Sequence, residues 1–216
     1  MSAFIAPLLG TVVGGMIALA SNLYFARRKE RDERLALGYS VLFKVQKIVD
    51  LVRKVRQHVN RSPSPDDQAW RAISSLHGTR GEPVEFTPME LAIFARKKDT
   101  EFTQILMDAA SYHGLMLELV EEYNRRKQTL SDAMSEVVRE HPEDPTSFKI
   151  EGEDLTRLRP KILETNSVAL NLRNVANDIA FPLDVLRGQT GPRIRQILAD
   201  TRFDLTFGDE TGKSAE

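Results

Sequence analysis

Residues 3–26 form an apolar segment without a single charged side chain, and a strongly charged stretch follows it. At about 1.5 Å per residue, roughly 20 helical residues cross the ~30 Å hydrocarbon core of a bilayer. One segment surrounded by lipid can satisfy its own backbone hydrogen bonds only as a helix. The pattern therefore predicts a transmembrane anchor over residues 1–26, with Tyr24 and Phe25 where interfacial aromatic side chains are common.

Two other interpretations of this segment stay open. Ala18-Leu19-Ala20 has the small-x-small form of a signal-peptide cleavage site, but a signal peptide carries its basic residues before the apolar run. Here they follow it. The second interpretation is a buried core helix, although such helices seldom lack charge over so many residues. An anchor is the favoured interpretation.

The basic residues after the apolar segment predict its orientation. Lys and Arg are retained on the inner side of a membrane, so the N-terminus should face out and the rest should lie in the cytoplasm, at the plasma (inner) membrane. Residues 27–61 carry a net charge of +7 and residues 62–216 a net charge of −8. Each basic residue close to the surface attracts anionic lipid headgroups by about 1 kcal/mol. The predicted headgroup contacts, here named the basic collar, are Arg27, Arg28, Lys29, Arg31 and Arg34.

Small and polar residues recur every four positions along the predicted anchor. Inside lipid, helices associate by close backbone approach over small residues, because hydrophobicity does not drive them together. Gly and Ala are common in transmembrane helices anyway, but four successive spacings of this kind predict a glycine zipper. The zipper would pack on other copies, forming a homo-oligomer, or on a partner's anchor. This small-residue stripe comprises Ala6, Gly10, Gly14, Ala18 and Asn22.

Apolar residues at alternating spacings of four and three predict three long helices beyond the anchor. The first continues the anchor to about His58, the second spans residues 100–140, and the third spans residues 157–187. A turn at 188–192 and a last helix over 194–203 follow. No stretch alternates with period two. We therefore predict an all-α fold, in which a single transmembrane helix continues into a long helix beside an antiparallel helical bundle of coiled-coil character. The packing seam of the first helix is Val41, Val45, Ile48, Val52 and Val55.

Shorter elements connect the first two long helices. A helix containing Trp70, Ile73 and Leu76 should end at Gly78, and Thr87-Pro88-Met89-Glu90 is a capping box with proline at the first helical position. The predicted organisation is an anchor (1–26), a juxtamembrane basic helix (27–60), short helices and loops (61–98), a helical bundle domain (99–205) and a disordered tail (206–216).

No catalytic, cofactor-binding or metal-binding motif is present in the sequence. The chain has no cysteine, which excludes disulfides and thiolate sites. His113 interrupts the seam of the second helix, and a core-edge histidine bonded to a neighbour is favoured there over a base or ligand. The basic stretch around Lys44 to Arg56 lacks the interleaved aromatics of a nucleic-acid surface. The remaining polar sets, an acidic patch and an asparagine face, are expected to be solvated: Glu143, Asp144, Glu151, Glu153 and Asp154; Asn166, Asn171, Asn174 and Asn177.

The favoured function is that of a membrane-anchored helical scaffold or adaptor. It would self-associate through the stripe and the first seam, and present its acidic body to a cytoplasmic protein partner. Two alternatives stay open. One is a subunit of a homo-oligomeric membrane effector or pore gated by the bundle, and the other is an enzyme without a recognisable motif.

Overall fold

The computed structural model describes residues 5–62, 64–78, 81–95, 99–140 and 152–198, with side chains from Gly14 onward. Across these ranges the regular structure is helical and no strand occurs. The predicted all-α class is confirmed, and the long helices pack as a bundle.

The first helix, α1, runs without a break from Ile5 to Val59, about 80 Å. The predicted continuation of the helix past the collar to about residue 58 is confirmed. No proline lies between Pro7 and Pro63, so each interior N–H can join the helical ladder. The backbone N–H of Asn60 donates to the carbonyl of Arg56 at 3.1 Å and closes the last turn.

The membrane-spanning character predicted for the N-terminal segment is not confirmed. Over the described residues, no helix is both long enough and apolar enough to cross a bilayer. Residues 1–26 carry no charged side chain in the sequence, whereas side chains are described only from Gly14 onward.

The connection after α1 holds a 3-10 turn (Asp66–Gln68) and two short helices, α2 (Ala69–Ala72) and α3 (Pro88–Ala95). The prediction that the first of these helices includes Leu76 was wrong, because the backbone turns extended at Ile73 (φ −88°, ψ 114°). The reason lies in the next long helix. There Lys127 Nζ donates to the carbonyls of Trp70 and Ile73, which further helical turns would otherwise use.

The capping box at the start of α3 is confirmed in both directions. The Thr87 backbone N–H donates to Glu90 Oε2 at 2.6 Å, and the Glu90 N–H donates to Thr87 Oγ1 at 3.3 Å. These two bonds satisfy amides at the helix start that have no intrahelical acceptor.

The next helix, α4, spans Thr100–Glu140 as predicted. Its start is fixed by Asp99, whose Oδ1 accepts the backbone N–H of Phe102 at 3.3 Å. The predicted seam is buried at nearly every position. Lys127 and Met134 are only partly buried. The buried members are Phe102, Leu106, Ala109, His113, Met116, Val120, Tyr123, Leu130 and Val137.

The last two helices, α5 (Gly152–Asp178) and α6 (Ala180–Leu198), correct the predicted third helix and the turn after it. The break falls at Ile179, three residues before Pro182, which has no N–H for the carbonyl of Asp178. The predicted turn over 188–192 was wrong, since these residues are helical. Residues 199–203 of the predicted last helix and the tail 206–216 lie outside the described residues.

Ion pairs define the packing directions. Arg126 pairs with Glu164 and Arg157 with Glu136, so α5 runs antiparallel to α4. Arg53 of α1 approaches Asp184 of α6 at 3.6 Å. Leu35 and Leu198 meet in one cleft at the other end of the same pair, so α6 runs antiparallel to α1.

Candidate functional site

The N-terminal part of α1 extends beyond the bundle. Every residue from Gly14 to Arg34 is exposed, and Leu35 is the first with appreciable burial. Covering one large apolar side chain contributes about 1.5–3 kcal/mol, so an apolar environment here would release on the order of 10 kcal/mol. The large apolar side chains of this segment, each 52–67% exposed, are Met16, Ile17, Leu19, Leu23, Tyr24 and Phe25.

The small-residue stripe has no partner within the described chain where its side chains can be assessed. Gly14, Ala18 and Asn22 are exposed. A methyl group placed on Gly14 would meet no atom within 4 Å. Ala6 and Gly10 lie in the part of α1 whose side chains are not described.

The basic collar lies where α1 approaches the bundle, and all five of its members are exposed. Lys29 approaches Glu33 at 3.8 Å, and Arg34 donates to Glu30 at 2.5 Å. Such exposed pairs contribute at most about 1 kcal/mol. Residues 27–34 retain an excess of positive charge, with five basic and three acidic side chains.

The first seam is placed inside the protein. Its five members, Val41, Val45, Ile48, Val52 and Val55, are each at most 1% exposed and belong to the main core. The seam is therefore a helix-packing surface as predicted, but helices of the same chain occupy it. A second copy could pack on this seam only by displacing those helices, so the self-association proposed below is confined to the small-residue stripe.

A buried carboxylate fixes α3 against α1 just beyond the collar. Glu90 is 2% exposed. It accepts hydrogen bonds from Ser40 Oγ and from Lys44 Nζ, the latter at 2.7 Å. Burial alone would raise the pKa of Glu90, but the bonds from Lys44, Ser40 and Thr87 together hold that pKa below its usual value. The capping box singles out Glu90 in the sequence, whereas the contacts to α1 span 46–50 residues and leave no local signal.

His113 is a structural residue. It is 2% exposed, and its Nδ1 accepts the backbone N–H of Val84 at 3.2 Å. Burial, followed by the nearby charge of Lys47, lowers the pKa of His113. The favoured sequence interpretation, a core histidine bonded to a neighbour, is confirmed. Within the described ranges, no cluster of three or more His, Asp or Glu could hold a metal ion.

Polar side chains on α4 and α5 hold the connection after α1 by its backbone. Asn124 donates to and accepts from the backbone of Leu76 at 2.9 and 2.8 Å. Asn166 accepts the Trp70 N–H at 3.1 Å and is 9% exposed. The expected solvent-facing asparagine surface is thus wrong at Asn166. These hydrogen bonds explain how the connection after α1 is held against the bundle, and we interpret both asparagines as structural residues.

Comparison of the chain with protein-family models, with curated proteins and with solved structures finds no match. The functional argument therefore rests on the arrangement of the described helices. An apolar helix leaves a closed helical body through a charged collar.

Proposed function

We propose that the protein is a single-pass membrane-anchored scaffold, with the N-terminal part of α1 in lipid and the helical body on the cytoplasmic side. One observation carries the proposal: residues 14–34 of a continuous helix are all exposed, and no charged side chain precedes Arg27. A helix satisfies its own backbone in lipid. A helix that lies in lipid therefore needs only apolar side chains on its surface.

The distribution of these side chains around α1 favours lipid over a one-sided protein groove. At 100° per residue, Ile17 lies about 100° and Phe25 about 180° around the helix from Met16. All three are more than 60% exposed. A partner protein in water would cover one face and leave the others wet, whereas a bilayer covers every face at once.

The charge distribution supports a cytoplasmic body. Basic residues are retained at the inner side of a membrane and attract its anionic headgroups. The collar supplies this charge directly after the apolar run. The acidic excess of −8 lies beyond it, in residues 62–216, where it is available to a protein partner with a basic surface.

Self-association is assigned to the small-residue stripe alone. Helices in lipid approach closely over Gly and Ala, and Gly14, Ala18 and Asn22 are exposed on α1. Several copies of the helical body would then lie side by side at the membrane. In each copy, helices of the same chain occupy the first seam. No observation on the described residues favours the pore subunit or the enzyme over this scaffold.

The test uses the full chain reconstituted in vesicles containing anionic lipid, with donor and acceptor dyes on a single cysteine at Gln57→Cys. We expect the protein to float with the vesicles and to show energy transfer between copies. Gly14→Leu should float equally well but lose most of the transfer, because the added side chain blocks close helix approach. It should not disturb the monomer, since nothing lies near Gly14.

Ala20→Leu is the matched control, since Ala20 is exposed but lies about 120° around the helix from Gly14. It should keep the energy transfer. Wild-type protein left in the aqueous fraction would refute the anchor. Equal transfer in wild type and Gly14→Leu would refute the stripe as the contact between copies.

A further inference from the structure

The side of α1 that the bundle leaves open is also the side that carries the small-residue stripe. At about 100° per residue, Phe43 lies about 20° around the helix from both Gly14 and Ala18. Between residues 35 and 55, where α1 packs against the other helices, every exposed residue lies within about 40° of Phe43. These residues, here named the open face of α1, are Ala36, Phe43, Lys47 and Lys54.

Phe43 is a large aromatic side chain that neither the chain nor a bilayer covers. It is 67% exposed. It follows Ala26 by 17 residues, which is about 25 Å along a helix, whereas the headgroup layer outside the hydrocarbon core is roughly 5–8 Å thick. Contact with another protein surface would remove this ring from water, which is favourable.

A seven-residue spacing links the anchor to the open face. Asn22, Lys29, Ala36, Phe43 and Asp50 follow one another at this interval along the unbroken helix α1. Residues at intervals of seven stay on one face of two helices that supercoil with a left hand. Two copies that meet at the stripe in this geometry would therefore also meet at Phe43.

Charges on the two sides of this face are complementary between parallel copies. Asp32 and Asp50 lie about 20° to one side of Phe43 around the helix, and Lys29 and Lys47 lie about 40° to the other side. In a parallel pair with twofold symmetry, one side of each helix faces the opposite side of its partner. Lysine of one copy thus faces aspartate of the other at two levels, which favours a second copy of this chain as the occupant of the open face.

We propose that the contact between copies continues from the stripe along the open face of α1 as a left-handed parallel coiled coil, with Phe43 packed against the Phe43 of a second copy. This inference rests on the proposed self-association and goes further. The stripe alone would also allow a right-handed crossing of about 40°, in which the helix axes separate by about 20 Å at Ala36 and about 40 Å at Lys54. A coiled coil keeps the axes about 10 Å apart along its whole length.

Distances between spin labels on two copies of the full chain test the proposal. The protein has no cysteine, so one introduced cysteine carries the only label. Phe25→Cys reports the end of the anchor, and Ala36→Cys and Lys54→Cys report the open face before and after Phe43. All three positions are exposed and should tolerate a label.

Pulsed electron paramagnetic resonance in anionic vesicles measures these distances, and dilution with unlabelled chain identifies those between copies. We expect similar short distances at all three positions. A short distance at Phe25→Cys that grows by roughly 30 Å towards Lys54→Cys overturns the coiled coil and leaves the stripe contact standing. No coupling between labels at any position overturns both the coiled coil and the proposed self-association.

Phe43→Ser tests the aromatic contact itself. It should lengthen the Lys54→Cys distance towards that of the right-handed crossing and leave the Phe25→Cys distance unchanged. Phe181→Ser is the matched control, because Phe181 is 75% exposed on α6, and it should change neither distance. An unchanged Lys54→Cys distance in Phe43→Ser overturns the packing of Phe43 between copies.

Discussion

Replacing Glu90 with alanine is expected to lower the free energy of unfolding by about 3 kcal/mol. The change removes the reciprocal cap of α3, which typically contributes about 1 kcal/mol. It also leaves Lys44, whose side chain is 28% exposed, without its carboxylate. Breaking a fully buried pair costs about 3–5 kcal/mol, and the partial exposure of Lys44 reduces that figure. Urea unfolding of the full chain in mild detergent, followed by circular dichroism, measures the loss.

Glu122→Ala is the matched control for this experiment. Glu122 pairs with Arg125 and Arg126 on the same helix, and its side chain is 32% exposed. Exposed pairs of this kind contribute at most about 1 kcal/mol. Equal losses in the two variants would show that Glu90 does not fasten α3 to α1.

The same carboxylate should make stability depend on pH in a defined direction. The pKa of Glu90 in the folded protein lies below its ordinary value of 4.5. A depressed carboxylate pKa stabilises the fold above the unfolded-state value, and this contribution is lost as the pH falls through the folded-state value. Glu90→Gln should therefore be less stable than wild type at pH 7, and the difference should shrink below about pH 4.5. A constant difference would contradict this account.

The second large effect concerns the membrane. Ile17→Arg combined with Leu19→Arg should move the protein from the membrane pellet to the supernatant on alkaline extraction. An arginine at the centre of a membrane helix costs about 2.5–3.5 kcal/mol, so two cost roughly 6 kcal/mol, or about ten-thousand-fold in partition. Both side chains are exposed, so the fold of the body should not change.

Phe43→Arg is the control for these charges. Phe43 is 67% exposed, but it lies beyond the collar, where α1 packs in the bundle. This variant should remain in the pellet. Retention of the double arginine variant at wild-type levels would count against lipid around Ile17, and release of Phe43→Arg would mean that added charge alone extracts the protein.

Local sequence patterns predicted the helices whose bounds depend on residues close together in the chain. Heptad spacing gave α4 its bounds, and the Thr87–Glu90 capping box marked the start of α3. A proline does not by itself locate a helix break: Pro182 follows the break at Ile179, whereas α5 continues through Pro160. Gly188 and Pro192 were misleading, since helix α6 continues through both and packs Thr190 inside the bundle.

Long-range contacts account for what sequence reasoning missed. The end of α2 depends on Lys127, which lies more than 50 residues away and takes the carbonyls of Trp70 and Ile73. The bonds of Glu90 to α1 are equally distant. The seam of α1 was recognised, but periodicity alone does not say whether α6 or a second chain fills it. At the candidate site, the uncharged segment and the basic collar could be recognised in the sequence. That residues 14–34 are all exposed could be seen only in the folded structure.

Hydrogen–deuterium exchange of the full chain in anionic vesicles tests the central claim most directly. A helix in lipid has no water at its amides, whereas an unpacked helix in water opens readily and exchanges. We predict that the amides of residues 5–25 stay protected for hours in vesicles, while those at the exposed start of α5, near Glu153, exchange within minutes. Exchange of residues 5–25 as fast as near Glu153, with vesicles present, would contradict the membrane anchor and the scaffold built on it.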